Sequence, residues 1–265
     1  MKRKMTVMDL AAVLSLVLIS SLSLISTQEG LFQEDHPEKF CAWECMTFTL
    51  MWPGAYCVSW AKIHCKIPDY VKNWTIHGLW PMIKERVCCG CWPIFRSDLE
   101  ELEPQLSLLW PTLISKKSNY TFWKEEWHKH GACAGCVEGM NAPAKYFQTA
   151  LKLRSLYDID GALHVAGINP SCNTSYQFDQ LHSALAPGLG DLHVTQCVQD
   201  HKNRQVLVQV KIPMYKNFTL GCHRHHPTHR EDSRESPPSP GHPCRHEEPI
   251  YYFPISHETP ENPCG

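Results

Sequence analysis

The sequence predicts an α+β domain: a central, mainly antiparallel sheet with several helices, rich in disulfides. Three observations predict it. Apolar segments of period two are mixed with segments of period near 3.6, without a regular strand–helix–strand rhythm. The 265-residue chain carries 14 cysteines, all between Cys41 and Cys264, which a reducing compartment seldom sustains without metal. Nine residues each of Trp, Tyr and Phe supply bulk for a core. With 43% hydrophobic and 20% charged residues, a disordered or collagen-like chain is excluded.

The chain opens on Met1-Lys-Arg-Lys and an apolar stretch from Leu10 to Ile25, about sixteen residues, too short for a bilayer span. Residues 1–26 are therefore read as a signal peptide, cleaved after Ser23 or Ser26, and 27–265 as a single domain. Four sequons, at Asn73, Asn119, Asn173 and Asn217, agree with export and mark candidate glycosylation sites. The formal charge is −2 at pH 7, so no permanently basic surface awaits nucleic acid. The segment removed carries a net charge of +2, leaving −4, which full protonation of the 16 histidines would swing to +12. Such a chain becomes cationic in an acidic compartment and could meet a polyanion there.

Phe48 to Trp52 and Asn73 to His77 read as strands. In the second, Asn73 and His77 would share a face about 13 Å apart. A glycan would then crowd His77, so Asn73 is expected to stay bare or to turn outward. Ser97-Asp-Leu-Glu100 forms a capping box ahead of Leu102, Leu106, Leu109 and Leu113, with Pro104 breaking or restarting that helix. Residues 143–156 form a second helix; Phe178, Leu181, Ala184 and Leu185 mark a third, ended by Pro187-Gly188. Gln205 to Met214 is a strand with Val206, Val208, Val210 and Ile212 on one face. Residues 223–248, rich in His, Pro and charge, read as a mobile polar loop, after which Ile250 to Phe253 returns to the sheet.

Two segments carry candidate chemistry: Ile76-His77-Gly78-Leu79-Trp80-Pro81, and Phe122-Trp-Lys-Glu-Glu-Trp-His-Lys-His-Gly131-Ala-Cys133. Two histidines in such aromatic surroundings suit a general acid–base pair. At 100° per residue, Phe122, Glu125, Glu126, Lys129 and His130 fall within an arc of about 140°. Trp123 and Trp127 lie at its edge, placed to anchor the helix to the core, and Gly131 would end it.

The two segments resemble the paired active-site signatures of the ribonuclease T2 family, the secreted acid endoribonucleases, in order and in spacing. The resemblance implies metal-independent cleavage of single-stranded RNA, without a cofactor, through a 2′,3′-cyclic phosphate to a 3′-phosphate end. DNA lacks the nucleophile and would not be cleaved. His77 and His130 match the acid–base pair, with His130 the base and His77 the acid, and Glu126 and Lys129 match the groups that support the transition state. Trp80 and Phe122 match aromatics that line base sites. Glu125 stands where many members carry a phosphate-binding histidine, and Met82 where some carry an acidic base-recognition residue. Glu125 is expected to repel phosphate unless protonated or paired with Lys129. The resemblance also implies bridges Cys57–Cys65, Cys88–Cys133 and Cys197–Cys244, leaving eight cysteines whose pairing stays open. It implies a monomer, secreted or in the lysosomal or endosomal lumen, with no stable membrane insertion once the signal is removed. An optimum near pH 5 is expected, with Glu125 losing charge on the acid side. Two rivals remain: a structural zinc held by His128, His130, Cys133 and Cys136, and a binding or signalling protein that kept the fold but lost efficient catalysis.

Overall fold

The computed structural model describes residues 42–59, 64–83, 92–223 and 241–265. The expected signal peptide, most of the polar loop and Cys88 lie outside them. Strands are β1 (Cys45–Met51), β2 (Thr75–Pro81), β3 (Ser175–Tyr176), β4 (Val194–Gln199), β5 (Gln205–Tyr215), β6 (His242–Pro243) and β7 (Ile250–Tyr251). The main sheet has the order β2-β1-β5-β4-β6, all neighbours antiparallel, and β7 adds to β5 in parallel while pairing with β3. The α-helices of seven residues or more among the described residues are α1 (Glu103–Leu109), α2 (Asn119–Glu126), α3 (Pro143–Leu156), α4 (Ile159–Val165) and α5 (Phe178–Leu189).

Alternation decides the two faces of the sheet. Met46, Phe48 and Leu50 of β1 lie opposite Met214, Ile212 and Val210 of β5, and all six side chains are fully buried in the main core. The helices supply its far side, with Trp110, Trp123, Trp127, Tyr146 and Phe147 fully buried. Buried indoles need an acceptor. Trp123 Nε1 donates to the Trp110 carbonyl at 2.8 Å and Trp127 Nε1 to the Trp92 carbonyl at 2.8 Å. The opposite face carries Thr49, Gln209 and Lys211, bordered by a second cluster of Met51, Cys57, Cys65, Ile67, Val71 and Leu113.

Several boundaries differ from the sequence expectation. Asn73 precedes β2, exposed in a bend, so it shares no strand face with His77. The Asp98 carboxylate accepts from the Phe95 N–H at 2.7 Å and caps a short 3₁₀ turn, Arg96–Leu99; the longer helix begins only at Glu103, with Pro104 in its first turn. Leu113 lies past its end. The helix expected to end at Pro187-Gly188 is α5 and runs on to Leu189: Pro187 gives up one helical N–H, and the Gly190 N–H still donates to the Ala186 carbonyl at 2.9 Å. The polar segment has returned to the sheet by His242, where β6 pairs with β4. Of the sequons, Asn73, Asn173 and Asn217 are exposed. Asn119 is half-buried, accepting from the Thr112 N–H and donating to the Ser107 hydroxyl.

Cysteines hold the sheet margins. Cys57 is bonded to Cys65 and Cys197 to Cys244, while Cys45–Cys222 and Cys172–Cys264 pair four of the cysteines whose partners stayed open. Cys133 is also disulfide-bonded, so its thiolate does not serve the zinc set considered above. Among the described residues no helix is long and apolar enough to cross a membrane.

The entry to β2 is fixed by Arg154 of α3, a buried guanidinium. Its Nε donates to the Trp74 carbonyl at 3.0 Å, and one terminal nitrogen donates to Asp160 at 2.6 Å. Asp160 in turn accepts from the Trp74 N–H at 3.2 Å. Arg154→Met leaves that carboxylate and carbonyl without their cation, and is expected to cost about 2–4 kcal/mol in urea denaturation. A loss under 0.5 kcal/mol, on the order of a neutral surface change, would show that the network carries no stability.

Candidate active site

The site begins with one extra residue in β2. Opposite β1, Gly78 pairs with Thr49 and Ile76 with Leu50, so His77 is the unpaired residue of a β-bulge. The bulge puts Ile76 and Leu79, three apart, on the core face, and Trp80 and Gly78 on the face that carries Gln209 and Lys211. Strand period two would instead have grouped His77 with Leu79. The bulged backbone is tied down: Trp110 Nε1 donates to the His77 carbonyl at 3.0 Å, and the Tyr146 hydroxyl donates to the Leu79 carbonyl at 2.7 Å.

His77 Nδ1 lies 2.7 Å from Gln209 Oε1. That oxygen only accepts, so Nδ1 carries the hydrogen and Nε2 is left for the site. Gln209 is fully buried in β5. Sequence reasoning missed it; its signal was a polar residue inside a run of valines. Tyr56 stands with its ring 6.4 Å from His77, and burial, then the Glu126 charge, push its hydroxyl up to about 12.

The second segment departs from a regular helix. α2 ends at Glu126, and Trp127–Gly131 form a π-helical turn in which the Ala132 N–H donates back to the Trp127 carbonyl. A wheel of 100° per residue therefore does not describe where Lys129 and His130 point. Trp123 and Trp127 do anchor the segment in the core. Gly131 does not terminate it: helical backbone continues through Ala134, and Gly131 is there because a Cβ would lie 2.4 Å from the Trp127 ring and 3.1 Å from Tyr146.

These elements bring His77, Trp80, Glu126 and His130 together. The Trp80 ring packs against both imidazoles, edge-on to His77 at 5.0 Å and 5.4 Å from His130. Trp80 Nε1 donates to Glu126 Oε2 at 2.9 Å. Phe122 is half-buried on α2, packed against the core. Lys117, another residue that sequence reasoning missed, meets Glu125 at 2.9 Å, and Lys129 meets the same oxygen at 3.5 Å. No local motif signalled Lys117, which lies in the turn just before α2.

Burial dominates the electrostatics. It pushes the Glu126 carboxyl up to about 7, against the Trp80 hydrogen bond and the Lys129 charge. It brings His77 down to about 4; the Gln209 hydrogen bond opposes this and Lys211 adds to it. It brings His130 down to about 3, assisted by the charges of Lys129 and His77. At Glu125 burial raises the pKa, but the hydrogen bond and charge of Lys117, then those of Lys129, outweigh it, and the carboxyl lies below its ordinary value. The pairing with Lys129 that the sequence allowed is thus present, with Lys117 beside it, and both favour the ionised carboxylate.

Two imidazoles beside a buried carboxyl, on a disulfide-stapled α+β sheet, are a setting suited to general acid–base chemistry. Residues 43–226 match the Ribonuclease T2 family. The chain is 33% identical over 221 residues to ribonuclease Oy of Magallana gigas, covering 80% of this chain and 97% of that protein. It is 32% identical to ribonuclease T2 of Danio rerio, covering 80% and 88%. The crystal structure of human RNase T2 superposes with TM-score 0.65 and 31% identity, covering 80% of this chain and 99% of that one. The chain belongs to the ribonuclease T2 family. It is an endoribonuclease of that type.

Gly78 tests the packing of this site. A Cβ there would lie 2.0 Å from Trp80 Nε1 and 2.6 Å from Glu126 Oε2, so Gly78→Ala must part the indole from the carboxylate. RNA cleavage by Gly78→Ala is expected to fall at least about tenfold. Undiminished kcat/KM would show that the Trp80–Glu126 contact does not matter to turnover.

Proposed function

We propose that the protein cleaves single-stranded RNA by transphosphorylation and then hydrolysis, without a metal. The observation that carries this reading is the packing of both the His77 and the His130 ring against Trp80, at 5.0 Å and 5.4 Å, with Glu126 on its indole nitrogen. In the first step neutral His130 takes the proton of the ribose 2′-OH, and the 2′-oxygen bonds to the adjacent phosphorus. The bond from phosphorus to the 5′-oxygen breaks, and protonated His77 gives that oxygen its proton through Nε2. The product is a 2′,3′-cyclic phosphate. In the second step the roles reverse: His77 takes a proton from water, whose oxygen bonds to phosphorus as the bond to the 2′-oxygen breaks, and His130 protonates that 2′-oxygen to leave a 3′-phosphate. Lys129 faces the charge that develops on the phosphorane oxygens. Glu126, whose proton is held into the neutral range, can take up or release charge as the histidines exchange protons. Trp80 and Phe122 offer aromatic surface beside the scissile phosphate. Support comes from a mutant of RNase MC1, 28% identical with TM-score 0.60, solved with 5′-GMP bound. The disulfides fit a secreted or luminal protein, and we read it as a monomer.

His130→Ala and His77→Ala are each expected to lower kcat on a single-stranded homopolymer by about 10²–10⁴. Wild-type activity should survive EDTA, and a 2′-deoxy linkage at the scissile position should stay intact. Cleavage of the deoxy linkage would overturn the transphosphorylation step. Activity in His130→Ala equal to wild type would overturn the assignment of the pair.

The pH profile follows from the same groups. One histidine must be charged and one neutral, and burial places both below the ordinary imidazole range. The protonated form needed for the acid is therefore gained only as pH falls, which displaces the bell to the acid side. The optimum of kcat/KM is expected at pH ~5 or below, its limits belonging to the coupled site. An optimum above pH 7 would contradict it.

A further inference from the structure

The chain leaves β5 through a tight turn that carries the sequon Asn217-Phe-Thr219. The Phe218 N–H donates to the Tyr215 carbonyl at 2.9 Å, and the Tyr215 N–H donates to the Thr219 carbonyl at 2.8 Å. Lys216, Asn217 and Phe218 thus form a three-residue hairpin loop whose last residue is left-handed, with Phe218 at φ 65°. Glycine is the usual occupant of that position, and a bulky side chain there needs support from its surroundings. The support is present. Phe218 and Leu220 pack against the main core, Leu220 bridges Met214, and the Lys216 N–H donates to the Glu44 carbonyl at 3.2 Å. Cys45–Cys222 closes the base of the turn. Tyr215, Asn217 and Thr219 alternate with the inward residues and are exposed, Tyr215 at 43%. The Asn217 side-chain oxygen accepts from the Thr219 N–H at 3.1 Å, so the turn uses the amide oxygen and not the nitrogen that a sugar would occupy. Of the four sequons, this alone has an aromatic residue two positions before its asparagine.

We propose that Asn217 is N-glycosylated and that its first N-acetylglucosamine lies on the Tyr215 ring, bracing the turn that holds Phe218 left-handed. The inference rests on the export reading given under the proposed function and not on the catalytic one. In the modification the Asn217 amide nitrogen bonds to the anomeric carbon of the sugar. The bond from that carbon to the phosphate oxygen of a lipid-diphosphate-linked oligosaccharide breaks, and the amide proton leaves with the diphosphate. One face of the sugar ring carries C–H groups of slight positive charge, and the face of an aromatic ring is negative. Tyr215 offers such a face on the same side of the hairpin as Asn217. Covering it removes apolar area from water, and only the folded turn holds residues 215 and 217 together for that contact. The glycan therefore favours the folded chain and offsets the cost of a left-handed Phe218.

The test is a thermal-unfolding cycle on protein exported from a host that adds high-mannose glycans, trimmed by an endoglycosidase to one sugar per site. The variants are wild type, Tyr215→Val, Thr219→Ala and the double variant. Thr219→Ala deletes the sequon while leaving Asn217 and the backbone hydrogen bonds of the turn. Glycopeptide mapping of the wild type is expected to show Asn217 occupied. Loss of its sugar in Thr219→Ala should lower Tm by about 2–4 °C. In the Tyr215→Val background the same substitution should cost less than about 1 °C, because no ring remains to be covered. A direct reading comes from NMR with labelled N-acetylglucosamine. One set of sugar resonances should be shifted upfield by the tyrosine ring in wild type and not in Tyr215→Val, which decides the matter even if Thr219→Ala is not exported. An unoccupied Asn217, equal Tm losses in both backgrounds, or the absence of an upfield-shifted set would overturn the proposal. A chain retained in the cell without glycans would instead overturn the export reading, and this inference with it.

Discussion

The site depends on one extra residue in β2. A sheet strand alternates its side chains between two faces, so a residue inserted opposite β1 reverses the alternation beyond it. Because His77 is that residue, Ile76 and Leu79 can both enter the core while Trp80 joins the polar face of the sheet. The elements packed on the sheet hold this irregularity in place. Trp110 just beyond α1 takes the His77 carbonyl, Tyr146 of α3 takes the Leu79 carbonyl, and Arg154 of the same helix fixes the backbone at Trp74. Gly78 then allows the Trp80 indole and the Glu126 carboxylate to approach closer than any side chain would permit.

A second irregularity answers the first. The π-helical turn at Trp127–Gly131 keeps Trp127 in the core while bringing His130 to the Trp80 ring. The chain thus spends regular hydrogen bonding at two places, and both border the reacting groups. Burial there disfavours charge on every group at once: the carboxyl is pushed toward its neutral form and both histidines toward theirs. Such a site holds few fixed charges of its own, so the arrival of a phosphodiester changes its proton balance more than it would at an exposed site. The charges that remain fixed stand at the rim, where Lys117, Glu125 and Lys129 meet.

Disulfides hold the frame in which these strains persist. Cys45–Cys222 joins the start of β1 to the chain beyond β5, and Cys197–Cys244 joins β4 to the segment that returns as β6. Cys57–Cys65 closes a short loop beside the second core cluster and fixes the bridge from which the Lys117 turn departs. Cross-links of this kind stabilise by restricting the unfolded chain, so they offset local strain without making contacts in the site itself.

The sequence by itself determined the fold class, the long strand β5, the helix α3 and the two histidine segments, because each is written in local periodicity or in a contiguous motif. It also marked Trp123 and Trp127 as anchors. It did not determine the bulge at His77 or the π-turn at His130, since both arise where packing on two sides overrides the local period. Gln209 was hidden because it lies in no motif and reaches the site only when β5 is laid in the same sheet as β2, and Lys117 because it lies in no motif and meets Glu125 through the turn before α2 rather than at helical spacing. The pairing of Glu125 with Lys129 was legible from helical spacing, whereas its shorter contact, with Lys117 eight residues upstream, was not, because that lysine lies outside the helix. Residue identities specify which chemistry is available. Which of those groups lose water, and which charges stand next to one another, was decided by the tertiary structure alone, because desolvation and Coulomb energy depend on distance in space rather than along the chain.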